Sequence, residues 1–181
     1  VFNATVKNEA EEKLKKEKIE NLTVTTAHSL AYRAMGVFRK YGKDISRGIS
    51  LLALCNFFRL KETSEVFVEL KKVMKAFNAY CASDSKSLKD FLRDGTYKDD
   101  KFAEINFEKC VTDLWDAMLN GKYPITHDFY LKLYHLSNPS LKEYDIILSD
   151  ENQDMSPVMT DVLLNQSAQK VMVGDPFQAI Y

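Results

Sequence analysis

With 181 residues, 45% of them hydrophobic and 28% charged, the chain is long enough for one good-sized domain or two small ones and has an ordinary globular composition. A net charge of -1 excludes an overall basic field, so nucleic-acid contacts must come from local placement of Lys and Arg. Cys55, Cys81 and Cys110 are odd in number and far apart, which excludes a disulfide framework or a zinc site and fits reduced intracellular thiols; no apolar run is long enough to span a membrane, and no signal peptide is visible.

The chain opens on VFN, which reads as the end of a strand already under way, so a longer polypeptide is expected. A helix follows, with Asn3 as a suitable N-cap. The β-branched run LTVTT, Leu22 to Thr26, reads as a strand. A helix then starts at Thr26, Ala27, His28 and Ser29. Hydroxyls and an imidazole at a helix N-terminus suit a phosphate, because free N–H groups and the helix dipole favour anions. The plainer alternative is helix capping by Thr26 beside a structural His.

From about residue 41 to 123 strand-like runs disappear. Val66, Leu70, Val73 and Phe77 recur at helical spacing, as do Phe107, Val111, Leu114, Trp115 and Met118. This segment reads as a helical insertion between two strands of a sheet. Trp115 reads as core, and Lys71, Lys72, Lys75 and Lys86 read first as a solvated face. In ITHDFYLKLYHLSNP, Thr126 or Asp128 can cap an amphipathic helix that Asn138 and Pro139 end. His127 and His135 are too far apart on that helix for a paired metal site.

The stretch YDIILSDENQD organises the rest. Ile146, Ile147 and Leu148 read as a parallel strand buried on both faces, which ends on Asp150 and Glu151. Open α/β sheets bind ligands at this carboxyl edge. Two uncompensated acids there repel each other, so a cation is their natural partner. In nucleotide hydrolysis one such carboxylate holds Mg²⁺ and its neighbour orients or deprotonates water. Ser156 to Leu164 has helical spacing with Pro157 in a first-turn position. A second strand, Val171 to Val173, ends in Gly174, Asp175 and Pro176. A parallel strand–helix–strand unit would bring Asp150, Glu151, Asp175 and Gln178 to one edge.

DENQD followed by VGDPFQAIY resembles motifs II and III of the UvrD/Rep-type superfamily 1 DNA helicases, and THDFYLKL resembles their F-box DNA helicase branch. The resemblance follows the order of most of the chain, with specific motifs over roughly a quarter of it. It implies an α/β fold: a partial RecA-like parallel sheet of P-loop NTPase type, without the P-loop strand, carrying an inserted all-helical subdomain. Residues 1–40 would be the first part of motor domain 1A, 41–123 a 1B-like insert, and 124–181 the second part of 1A. By the same resemblance Asp150 holds Mg²⁺ bound to ATP, Glu151 is the general base, and Gln178 senses the γ-phosphate. Gln153, Asp154, Gly174 and Asp175 support the motifs. Phe2 and Asn3 match the DNA-facing motif Ia. Thr26, His28 and Ser29 match a TFHS motif that contacts the DNA backbone, with Ala27 departing from its Phe. Tyr181 would stack on a base.

The function implied is that of a fragment of an ATP-dependent 3′ to 5′ DNA helicase in repair or recombination, acting on single-stranded DNA. The expected location is intracellular, nuclear in a eukaryote and otherwise cytoplasmic. A GxxxxGK loop followed by Ser or Thr is absent from the sequence and belongs upstream; the second motor domain belongs downstream. The 181 residues alone are therefore expected neither to hydrolyse ATP nor to unwind DNA. Ubiquitin-ligase partners are expected only if an F-box lies outside this window. The alternatives are a non-catalytic nucleic-acid-binding remnant and a nuclease with Asp150, Glu151 and Asp154 as metal ligands.

Overall fold

The structure, a computed structural model, describes residues 4–42, 45–94, 104–175 and 177. Phe2, Asn3, Gln178 and Tyr181 lie outside the described residues. The elements in order are α1 (Ala4–Lys16), α2 (Ala27–Ala34), α3 (Val37–Tyr41), β1 (Ile45–Ser46), α4 (Leu51–Phe58), α5 (Ser64–Ala82) and α6 (Leu88–Asp94). They continue with α7 (Phe107–Leu119), β2 (Ile125–Thr126), α8 (His127–Leu136), β3 (Ile146–Ser149), a 3-10 turn (Asn152–Asp154), α9 (Pro157–Leu164) and β4 (Gln169–Met172). Among the described residues no helix is long and apolar enough to cross a membrane.

Local chemistry sets the helix boundaries. Thr63 caps α5 by accepting the Val66 N–H (3.3 Å), Asn106 caps α7 through the Lys109 N–H (3.0 Å), and Thr126 caps α8 through the Phe129 N–H (3.2 Å). Each cap satisfies one of the donors a helix start leaves without an intrahelical partner. The expected stripes are the buried faces: Val66, Leu70, Val73 and Phe77 on α5, and Phe107, Val111, Leu114 and Met118 on α7. Trp115 packs against this core while keeping part of its surface in solvent.

Helix α8 is the axle of the core. Its Phe129 is fully buried, stacks nearly parallel on Phe77 (centroids 6.4 Å apart, 10° between planes) and meets Trp115 at 4.8 Å. Lys132, also fully buried, donates to the Ser83 carbonyl (2.8 Å) and the Ser85 carbonyl at the end of α5. Its ammonium lies 4.4 Å from the centre of the Tyr80 ring. Burial pulls the Lys132 pKa down to about 8, against the pull of Cys81, Asp84 and Asp161. The carbonyls and the ring take the place of water around a charge that would otherwise be costly to bury.

Two sequence expectations change. LTVTT forms no strand among the described residues. Its β-branched side chains favour extended backbone, but no neighbouring strand pairs with it, and Thr25 and Thr26 bond locally instead: Arg33 Nη2 donates to Thr25 Oγ1 (3.0 Å) and Thr26 caps α2. The strand Ile146–Ser149 is also not buried on both faces. Ile146 and Leu148 are 52% and 58% exposed, whereas Ile147 packs on the core and Ser149 is buried. Val171 of β4, opposite Leu148, is also exposed (42%), so among the described residues this face of the sheet stays largely open.

The segment 41–123 is largely helical but contains β1. This strand pairs in parallel with β2, Ile45 opposite Ile125 and Ser46 opposite Thr126. The pairing clasps the two ends of the helical segment, so the chain leaves and returns at one place. The three cysteines are free and buried.

Candidate active site and nucleic-acid interface

Strands β3 and β4 are parallel, with Ile146 opposite Gln169 and Ser149 opposite Met172. Helix α9 lies between them in sequence, and Pro157 occupies its first turn. Parallel strands joined through a helix point the same way, so both carboxyl ends reach one edge. The ladder runs past the strands into the loops: the Val173 N–H donates to the Ser149 carbonyl (2.8 Å), and the Asn152 N–H to the Val173 carbonyl (2.9 Å).

Beyond that ladder the side chains knit the two loops together. Glu151 adopts a left-handed backbone conformation (φ 53°, ψ 44°) and leads into the 3-10 turn. A non-glycine residue in this conformation costs roughly 1 kcal/mol or more, so the surroundings must hold it there. Gln153 supplies part of that hold. Its Nε2 donates to Glu151 Oε2 (2.6 Å), and its Oε1 accepts the Asp175 N–H (3.0 Å). Gly174 makes the approach possible: a Cβ there would lie 2.5 Å from Gln153 Oε1 and 3.0 Å from the Asn152 nitrogen. Asp175 Oδ1 in turn accepts the Phe177 N–H (2.9 Å).

The structure thus brings Glu151, Gln153, Gly174 and Asp175 together, with exposed Asp150 at the end of β3. The Asp154 N–H bonds the Glu151 carbonyl (3.1 Å) and closes the turn. Asn152, at a position the motif leaves variable, also braces the site: its Oδ1 accepts from the Ser149 hydroxyl (3.2 Å). Among the described residues no three His, Cys, Asp or Glu side chains form a metal cage. A nucleotide-bound Mg²⁺ takes only one or two carboxylates with phosphate oxygens, so the exposed Asp150 carboxylate is a suitable donor.

The second predicted cluster forms at the N-termini of α2 and α8. Thr26 is buried, and its Oγ1 accepts the Ser29 N–H (3.1 Å) and donates to Ser29 Oγ (2.8 Å). The capping reading is therefore correct for Thr26, while Ser29 is exposed. The His28 ring is half exposed and stands edge-on to His127 and Tyr130, each 6.1 Å away. Its Nε2 faces Asp128 Oδ1 at 3.5 Å. Interaction with the His28 imidazole holds the Asp128 carboxyl below its ordinary value, against the opposing effect of burial. Burial raises the Tyr130 phenol to about 12, and its hydroxyl is hydrogen-bonded to His127 Nδ1 (2.9 Å).

Sequence reading missed His127, Asp128 and Tyr130 as partners of His28, because residues about a hundred positions apart meet only through the packing of α2 on α8. It also missed the hydrogen bond between His135 Nε2 and Asp161 Oδ2 (2.9 Å). With a carboxylate accepting at Nε2, the neutral ring carries its proton there, and Nδ1 is buried without a partner. Protonation would bury an unpaired N–H, and desolvation accordingly lowers the His135 pKa, against the pull of Asp161. The unfolded chain takes up that proton near pH 6.5 and the folded chain only at lower pH, so this source of stability is lost on acidification through that window. Thermal melts between about pH 7.5 and 5.5 should therefore show a falling Tm, with a smaller fall in His135→Asn. An identical pH slope in the variant would count against this assignment.

No protein-family model and no solved structure matches the chain. A chicken (Gallus gallus) protein, F-box DNA helicase 1, is 32% identical over 177 residues, covering 89% of this chain and 17% of the relative. A Schizosaccharomyces pombe protein, F-box DNA helicase protein 1, is 43% identical over 74 residues, covering 38% of this chain and 8% of that protein. Sustained over most of the chain, this similarity is to one segment of a much longer relative, and it supports reading the chain as a fragment of the F-box DNA helicase branch.

Proposed function

We propose that this chain is the carboxylate-bearing part of the first motor domain of an ATP-driven DNA helicase. Residues 1–40 and 124–181 would belong to the motor domain and 41–123 to its helical insertion. The whole protein would couple ATP hydrolysis to 3′ to 5′ movement on single-stranded DNA in repair or recombination. The observation that carries this reading is the stitching of the β3 and β4 ends through Ser149–Val173, Asn152–Val173 and Gln153–Asp175. It sets an acid pair beside a glycine-walled strand end at the edge where such sheets take ligands.

In this mechanism Asp150 would hold Mg²⁺, and Glu151 would accept the proton of the attacking water. Magnesium, when bound, offsets charge developing on the triphosphate oxygens. Gln153 holds the Glu151 carboxylate through Oε2, and Oε1 would be the proton acceptor. Gln178 would sense the γ-phosphate, and Tyr181 would stack on a base. Ser29 and His28 would contact the DNA backbone at the α2 N-terminus, and Phe2 and Asn3 would be further DNA-facing residues by the motif resemblance. ATP and single-stranded DNA are the proposed ligands. A ubiquitin-ligase partner would follow only from an F-box elsewhere in the polypeptide.

The test is ATP turnover by a longer chain with its upstream and downstream regions, measured with and without single-stranded DNA. Magnesium-dependent turnover stimulated by DNA is expected. Strand cleavage without ATP would point to a nuclease instead, and a longer chain that binds DNA without turnover would point to a non-catalytic remnant.

A further inference from the structure

We infer that Gln153 is a positioning residue that ties the orientation of the Glu151 carboxylate to the end of β4. This rests on the proposed role of Glu151 in ATP hydrolysis and adds how that carboxylate is controlled. One amide does both jobs, because Gln carries a donor and an acceptor on the same planar group. The donor end holds Glu151 Oε2 at 2.6 Å, and the acceptor end holds the Asp175 N–H at 3.0 Å.

The geometry leaves this amide little choice. Gly174 walls one side, so closely that a methyl group there would overlap Gln153 Oε1. The Asn152–Val173 bond fixes the backbone beside it. Glu151 itself sits in a left-handed conformation that needs support. If the loop after β4 moves, Asp175 moves, the amide turns with it, and Glu151 loses its donor. Gln153 would thus make the Glu151 carboxylate sensitive to the position of Asp175. A brace that only stabilised the turn would need the Asp175 contact but not the donor to Glu151.

Gln153→Glu in the longer chain separates the two roles. It keeps the volume and the acceptor for Asp175 and replaces the donor to Glu151 with a repelling carboxylate. Turnover is expected to fall at least tenfold, with the KM for ATP within about twofold. Gln153→Ala removes both contacts, and backbone hydrogen exchange at Asp175 should rise at least tenfold in it, a readout independent of activity. In a chain already carrying Glu151→Gln, adding Gln153→Glu should cost nothing further in turnover, because the carboxylate being positioned is gone.

Equal losses with and without Glu151→Gln, or wild-type turnover in Gln153→Glu, would overturn the inference. If Gln153→Glu fails to bind a fluorescent ATP analogue and so has not folded, Gly174→Ala takes its place. Its added Cβ should displace the amide and give the same loss of turnover at unchanged KM, and wild-type turnover there would overturn the inference. An unsubstituted longer chain with no magnesium-dependent ATP turnover would instead defeat the hydrolase reading itself, and this inference with it.

Discussion

Glu151→Gln in the longer chain is expected to leave ATP affinity within about twofold and to lower turnover by about 10³-fold, in line with the loss of a positioned general base. The substitution suits the test because it is nearly isosteric. A Gln oxygen at position 151 can still accept from Gln153 Nε2, and Gln tolerates the left-handed backbone no worse than Glu. The turn should therefore survive while the proton acceptor is lost. Unwinding should fail in parallel with turnover, and DNA binding should persist, because the proposed DNA contacts His28 and Ser29 lie on α2, away from this turn. Turnover within a few-fold of wild type would remove Glu151 from its assigned role.

The largest stability effect is expected at Phe129. Its ring is fully buried between Phe77 and Trp115 on the helix that contacts α2, α5 and α9. Phe129→Ala keeps the backbone N–H that Thr126 caps and deletes the ring, so the cost is lost burial plus the cavity left behind. About 3–5 kcal/mol is expected, by urea denaturation. Domains are stable by only about 5–15 kcal/mol in total, so this one ring accounts for much of the folded margin. Phe129→Leu should cost substantially less. A loss below about 1 kcal/mol for Phe129→Ala would mean that α8 is not the axle of the core.

The helices between residues 41 and 123 were legible because their burial follows a simple period. Val66, Leu70, Val73 and Phe77 recur at the helical repeat, and each is buried on α5. The acid pair and the second strand end were legible for another reason. A short strand, a Pro-started helix and a second strand constrain each other, and the parallel register of β3 and β4 follows from that order.

Long-range partners were not legible. Lys132 sits three residues after Phe129, on the same helical face, and that spacing is the signal that could have marked it as buried. Nothing local says that the carbonyls of Ser83 and Ser85 would receive it. His28 and Asp128 likewise meet only because α2 packs on α8. LTVTT failed as a strand because β-branched propensity describes a residue that fits a sheet and supplies no sheet to fit. The exposed Ile146 and Leu148 carry the converse lesson: an apolar run anticipates cover on both faces, and among the described residues the face they share with Val171 stays largely open.

A crystal structure of the longer chain with magnesium and a non-hydrolysable ATP analogue would show whether the ends of β3 and β4 form the nucleotide site. The metal is expected at Asp150, with the terminal phosphate facing the Glu151 carboxylate and Gln153 still bridging that carboxylate to the end of β4. A nucleotide seated elsewhere, with the tips of β3 and β4 turned away from it, would rule this site out.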